Sequence, residues 1–178
     1  MAHHSIKGKT ALIAGGAKNL GGLIARDLAA HGAKAVAIHY NSAASKAAAD
    51  ATVADVKAAG AAAYAFQADL TGAAAMEKLF VDAKAAMGGI DIAINTVGKV
   101  LKKPIAEISE AEFDEMSAVN SKSAFFFIKE AGKSLNDNGK LVTLVTSLLG
   151  AFTPFYAAYA GGKAPVEHYT RAAAKEFG

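Results

Sequence analysis

Tyr159 and Lys163 stand four residues apart, and Ser147 lies twelve residues before the tyrosine. On a helix this spacing puts the tyrosine and lysine on one face, a turn apart. An ammonium beside a phenol favours the phenolate, so the tyrosine is expected to titrate below its free value of about 10, towards neutrality. Such a phenol can exchange a proton with an alcohol or carbonyl oxygen. Ser147 is a candidate to hold that same oxygen by a hydrogen bond. The Tyr-x-x-x-Lys pattern is common on amphipathic helices, so its meaning depends on the rest of the chain.

A second chemical signal is Ala14-Gly15-Gly16-Ala17-Lys18-Asn19-Leu20-Gly21-Gly22, which follows a short apolar run. Glycines there let the backbone turn tightly and approach a pyrophosphate at a helix N-terminus, where free N–H groups and the dipole favour anions. The spacing is not G-x-G-x-x-G. A tight turn that needs glycine for positive φ is the plain alternative.

The elements that must carry these residues alternate. Apolar runs predict strands over 10–14, 34–40, 62–67, 90–94 and 140–146. Helical sequence is expected over 20–30, 43–59, 73–86 and 110–136, with a final helix carrying Tyr159 and Lys163. Strands apolar on both faces and alternating with helices predict an α/β fold: a doubly wound parallel sheet in three layers, with right-handed crossovers. The Ala-rich second helix is explained by helix propensity alone.

The length of 178 residues predicts a single domain over 1–178. With 19 basic residues scattered among 16 acidic ones, no basic run points to nucleic acid or an anionic membrane. The absence of cysteine excludes disulfides, thiol catalysis and thiolate metal sites. His39 and His168 lack partners at metal-binding spacing, so no metal is expected. No apolar run reaches the roughly 18 residues of a membrane span, and Met1-Ala2-His3-His4-Ser5 opens on no signal segment. His3 and His4 are assigned no function, and a cytoplasmic protein is expected. The run Leu141-Val142-Thr143-Leu144-Val145-Thr146 resembles an interior strand, yet no strand follows it. Left at an edge it would template aggregation, so further C-terminal strands and a substrate loop are expected beyond Gly178.

The motifs together resemble those of the short-chain dehydrogenase/reductase family across essentially the whole chain. Gly15 and Gly21 match the first and last glycines of its Thr-Gly-x-x-x-Gly-x-Gly loop, with Ala14 in place of the threonine and Asn19 in place of the middle glycine. Asn95-Thr96-Val97-Gly98 resembles the family's Asn-Asn-Ala-Gly, and Asp69 its acidic residue after the third strand. Asn120, Ser147, Tyr159 and Lys163 match the four catalytic positions in order. The overall pattern is similar to the branch containing 3-oxoacyl-acyl-carrier-protein reductases.

The resemblance implies a Rossmann-type domain with a dinucleotide against Gly15, Lys18, Asn19, Leu20 and Gly21, then Asn41 and Ser42. It adds Asp69, Leu70, Asn95, Val97 and Gly98, together with Tyr159 and Lys163. The second strand ends His39-Tyr40-Asn41-Ser42 with no carboxylate to grip a ribose 2′-OH. Lys18, Asn41 and Ser42 instead favour a 2′-phosphate, so NADP(H) is expected over NAD(H), which remains possible. In the implied mechanism Tyr159 is the general acid/base and Lys163 depresses its pKa while holding the nicotinamide ribose. Ser147 positions the carbonyl oxygen, and Asn120 supports a water-linked proton relay. The implied substrate is a small carbonyl compound or secondary alcohol, and relatives suggest a homo-oligomer, tetramer or dimer. The alternative is a catalytically silent dinucleotide sensor or structural subunit, which would need only the nucleotide-facing residues.

Several smaller features carry expectations. Tyr156 has Ala160, not lysine, four residues on, so substrate contact or packing is its expected role. Phe125-Phe126-Phe127 should pack on the sheet or on a neighbouring subunit. His31 should complement a helix dipole. Gly161, Gly162 and Pro165 break helix rules beside the catalytic pair, and Pro165 leaves the Gly161 carbonyl without its usual donor.

Overall fold

The protein is described by a computed structural model covering residues 5–178; His3 and His4 lie outside the described residues. Five strands, β1 (Thr10–Ala14), β2 (Ala35–Tyr40), β3 (Ala62–Gln67), β4 (Ile92–Asn95) and β5 (Lys140–Thr143), form one parallel sheet in the order β3-β2-β1-β4-β5. Helices α1 (Asn19–Ala30), α2 (Lys46–Ala58), α3 (Ala73–Met87), α4 (Glu110–Met116), α5 (Ser123–Ser134) and α6 (Ala157–Glu176) complete the expected α/β arrangement.

Burial explains the unbroken apolar runs. All five residues of β1 are buried, with Leu12 facing one core and Ile13 the other. On the first side, α3 and α5 pack Phe80 and Phe127 edge to face, ring centroids 5.1 Å apart. On the second, Ala25, Leu28 and Val56 of α1 and α2 close over Val36 and Ile38. Residues of one strand therefore serve two interfaces, which removes the alternation of a one-sided strand.

At the N-terminal ends of the strands, Asp91 acts as a pin. Its Oδ2 accepts from the Thr10 amide at 2.9 Å and the Thr10 hydroxyl at 3.1 Å, and its Oδ1 accepts from Asn136 at 3.1 Å. Burial raises the carboxyl's pKa, but these bonds and the Lys9 ammonium outweigh it and hold the value below the ordinary aspartate range. The opposite ends of the strands are left to the loops that build the site.

The boundaries differ from the sequence pattern at identifiable places. The fourth strand begins at Ile92 rather than 90, after Gly88 and Gly89 have turned the chain at positive φ. The fifth stops at Thr143 rather than 146: Leu144 still donates to the Asn95 carbonyl, then Thr146 accepts from the Leu148 amide and starts a 3₁₀ turn over Ser147–Leu149. Residues 43–45 form a separate 3₁₀ turn before α2. The expected helix over 110–136 is three segments, with a π-helical Ser117–Lys122 between α4 and α5. Among the described residues β5 pairs only with β4, and Val142 is 42% exposed. No helix of the described residues is long and apolar enough to cross a membrane.

Candidate functional site

The β1–α1 connection turns where the sequence has its glycines. Gly15 has φ 77°, and a Cβ there would lie 2.6 Å from Thr96 Oγ1. A Cβ at Gly21 would collide with the Gly15 carbonyl. Asn19, at the position of the family's middle glycine, has φ 51°. Asparagine tolerates this left-handed conformation better than other non-glycine residues, which accounts for the replacement. Neighbouring elements support the turn. Thr96 Oγ1 donates to the Ala14 carbonyl at 2.8 Å, and Thr52 Oγ1 of α2 donates to the Ala17 carbonyl at 2.9 Å.

Beside this turn opens a cleft of about 860 Å³ at the C-terminal ends of the strands. Gly15, Lys18, Asn19, Leu20, Gly21, Asn41, Asp69, Leu70, Val97 and Gly98 line it. Ser42 does not; Ser45, one 3₁₀ turn further, does. Asn95 lies beneath the surface, 3% exposed, where its Oδ1 accepts from the Val97 amide at 2.9 Å and shapes the next loop. Asp69 is exposed, and hydrogen bonds from the Thr71 amide and hydroxyl hold its carboxyl below the ordinary value.

The four catalytic candidates come from three elements, and none of them lines this cleft, Tyr159 and Lys163 included, although both were expected against the dinucleotide. Asn120 sits in the π-helical segment, wholly buried, where it accepts from the Lys99 amide at 3.1 Å and donates to the Lys99 carbonyl at 2.9 Å. Lys163 on α6 is 4% exposed and donates to the Val97 and Leu144 carbonyls at 2.9 and 3.1 Å. Burial lowers the pKa of its ammonium from the ordinary lysine value. These two meet beside Gly98, where a Cβ would lie 3.1 Å from both Asn120 Oδ1 and Lys163 Nζ. Tyr159 is half-buried one turn before the lysine, and exposed Ser147 begins a turn packed on α6. The acceptors of the lysine are thus backbone carbonyls, so tyrosine and lysine share a helix face without the direct hydrogen bond that their spacing invites.

At the start of α6 lies a second cavity of about 490 Å³, bounded by Ile105, Leu148, Phe152, Phe155, Tyr156 and Ala160. Leu144 and Gly98, which touch the lysine or its acceptors, line the first cavity; Leu148 and Tyr156, neighbours of Ser147 and Tyr159, line the second. Helix α6 runs unbroken through Pro165, which has no N–H to offer the Gly161 carbonyl. A Cβ at Gly162 would lie 3.2 Å from the Met116 carbonyl and 3.3 Å from Asn120 Cβ. That glycine lets α6 approach the π-helical segment.

Two residues that sequence reasoning passed over belong to this site. His39, set aside for want of metal partners, is 3% exposed and bonded to the glycine turn. Thr96, standing where the family has a second asparagine, closes the turn from β4. No spacing rule signals either, because both act across strands. The smaller features take up local contacts. His31 Nδ1 lies 2.8 Å from the Asp27 carbonyl at the end of α1. Phe127 is buried in the core, while Phe125 is 46% exposed against Tyr169.

A parallel sheet whose order reverses direction at β1, with a cleft at the carboxyl ends of its strands and a helix N-terminus facing it, defines a dinucleotide-binding class of protein. A family model described as enoyl-(acyl carrier protein) reductase matches residues 15–178. The chain belongs to the short-chain dehydrogenase/reductase family. It is 33% identical over 178 residues to the short chain dehydrogenase/reductase AacuN of Aspergillus aculeatus, covering 99% of this chain and 66% of that protein. A structure from Burkholderia cenocepacia assigned as a dehydrogenase, with bound NADP, is 78% identical with a TM-score of 0.97 and covers 99% of this chain and 67% of that one. A blue fluorescent protein from a metagenomic library, solved with NADPH, is 30% identical with a TM-score of 0.91, covering 98% and 70%. The chain spans about two thirds of the length of the curated relatives it matches.

Proposed function

We propose that the chain carries the dinucleotide-binding and catalytic residues of an NADP(H)-dependent oxidoreductase that interconverts a carbonyl compound and a secondary alcohol. The observation that carries this reading is the glycine turn with its cleft, together with Lys163, on the same helix as Tyr159, donating to the carbonyls of Val97 and Leu144, two residues that line that cleft. The cleft, about 860 Å³, is of a size to receive a dinucleotide, and it meets the N-terminus of α1, where free amides favour phosphate. Lys18 and Asn41 at its rim favour a 2′-phosphate, in keeping with the NADP and NADPH held by the two solved relatives.

When bound, the nicotinamide supplies or accepts the hydride at the substrate carbon. In reduction Tyr159 gives its phenolic proton to the carbonyl oxygen; in oxidation it takes the proton from the alcohol. Ser147 donates to that oxygen and fixes its distance from the phenol. Lys163, held by two carbonyls, presents a positive charge that favours the tyrosinate formed. Asn120 keeps the Lys99 backbone and the lysine's surroundings in register. The apolar lining around Leu148, Phe152 and Tyr156 receives the substrate's carbon body. The exposed Phe113 and Phe125 on α4 and α5 fit a contact with a second copy, which light scattering would read.

Replacing Tyr159 with Phe removes the transferable proton and little else. Turnover of a carbonyl panel, followed by NADPH consumption, is expected to fall by about 10²- to 10⁴-fold, with NADPH binding retained. A near-normal rate in that variant would refute the assignment. Binding of NADPH without any turnover by the unaltered protein would favour a sensor.

A further inference from the structure

We propose that His39 is a positioning residue of the dinucleotide turn, a neutral Nε2–H imidazole that accepts the Gly15 amide and so keeps the turn in its binding shape. The inference rests on the reading of the larger cleft as a dinucleotide site. His39 is the second-last residue of β2 and is buried at 3% exposure. Its Nδ1 lies 3.2 Å from the Gly15 amide nitrogen, whose hydrogen it must accept. Its Nε2 lies 2.9 Å from the Ala68 carbonyl, to which it must donate. These two neighbours allow one state of the ring, because the protonated form would set N–H against N–H at Gly15. The backbone of the same residue also takes part: the Gly16 amide donates to the His39 carbonyl at 3.0 Å. Both amides at the apex of the turn are therefore held by one residue of β2.

The charges around the ring bear on how readily it stays neutral. Burial lowers its pKa from the ordinary value, against the raising effects of the Ala68 bond and of Asp69. Asp69, on the segment after β3, is the charged neighbour that favours protonation. The glycine turn contributes Lys18 at the exposed rim, and Asn95–Gly98 after β4 carries no charge. Helix α3, packed on β2, keeps Glu77 and Lys78 exposed. Neutrality at ordinary pH and loss of the Gly15 bond in acid follow from this arrangement.

NADPH and NADH titrations by fluorescence, from about pH 8 down to about 5, on the unaltered protein, H39N and H39L test the role. Asn keeps an acceptor near the Nδ1 position without titrating; Leu keeps bulk but no acceptor. H39L is expected to weaken binding of both dinucleotides about tenfold at neutral pH, and H39N to restore most of it. In acid the unaltered protein should lose affinity that H39N keeps. The 2′-phosphate also titrates near pH 6, so the NADH arm and the difference from H39N carry the result. Equal affinities and pH profiles for the unaltered protein and H39L would overturn the proposal. Failure of the unaltered protein to bind either dinucleotide would instead overturn the reading of the cleft. Should H39L not fold, ring ¹⁵N shifts of His39 in the unaltered protein decide: Nε2–H supports the role, and Nδ1–H or a charged ring at neutral pH refutes it.

Discussion

Three side chains at the site do unlike work with similar means. Asn19 accepts a backbone conformation, φ 51°, that a β-branched residue would resist. Asn120 satisfies both backbone groups of Lys99 from a fully buried position. Lys18, in contrast, is exposed and free to meet a ligand at the rim of the cleft. If it reads a 2′-phosphate, Lys18→Glu replaces attraction by repulsion. The ratio of NADPH to NADH affinity should then fall by roughly tenfold or more, with NADH binding little changed. An unaltered ratio, measured by titration at low salt, would remove Lys18 from cofactor selection.

Helix α6 carries adjacent glycines with opposite constraints. Gly161 faces open space, while Gly162 meets the π-helical segment. Gly161→Ala is expected to stabilise by about 1 kcal/mol through helix propensity. Gly162→Ala should lose that gain to the Met116 carbonyl and lower kcat by displacing Asn120; urea unfolding and a rate assay separate the two outcomes. At the start of α4, Ser109 and Glu112 form a reciprocal cap, and Lys103 reaches the same carboxylate at 2.9 Å. The Ser109 amide, then Lys103 and the Ser109 hydroxyl, hold the Glu112 pKa at about 2, against an ordinary 4.5. Because the folded value is the lower, this support is complete above about pH 4.5 and disappears as pH falls through about 2. The melting temperature of Glu112→Gln should lie below the parent's near neutrality and converge with it in acid. The β1 run and the glycine turn were legible in the sequence because each is written in neighbouring residues. The π-helical segment was not, since residues 117–122 are compatible with an ordinary helix and only the Asn120–Lys99 contact and the close approach of Gly162 reveal the change. His39 escaped for the same reason: its partners, Gly15 and Ala68, are distant in sequence.

Across the whole molecule, the cleft draws on β1, β2, β3 and β4 through the loops that follow them, so a ligand there touches most of the sheet. Binding confined to the folded state raises stability by mass action, about 2.7 kcal/mol at a hundred times Kd. NADPH should accordingly raise the unfolding temperature more than an equal concentration of NADH; the reverse order would contradict the cofactor assignment. The strand order has a further consequence, for the sequence of events in synthesis. The earliest of the five described strands, β1, is also the central one, and its two flanks are filled at different times. His39 can reach the Gly15 amide once β2 has emerged, but Thr96 supplies the Ala14 carbonyl's partner only after β4 is made. Between those moments the nascent turn is braced on one side alone. A dinucleotide therefore has little to offer the growing chain until β4 has been made, and its stabilising effect belongs to the assembled sheet.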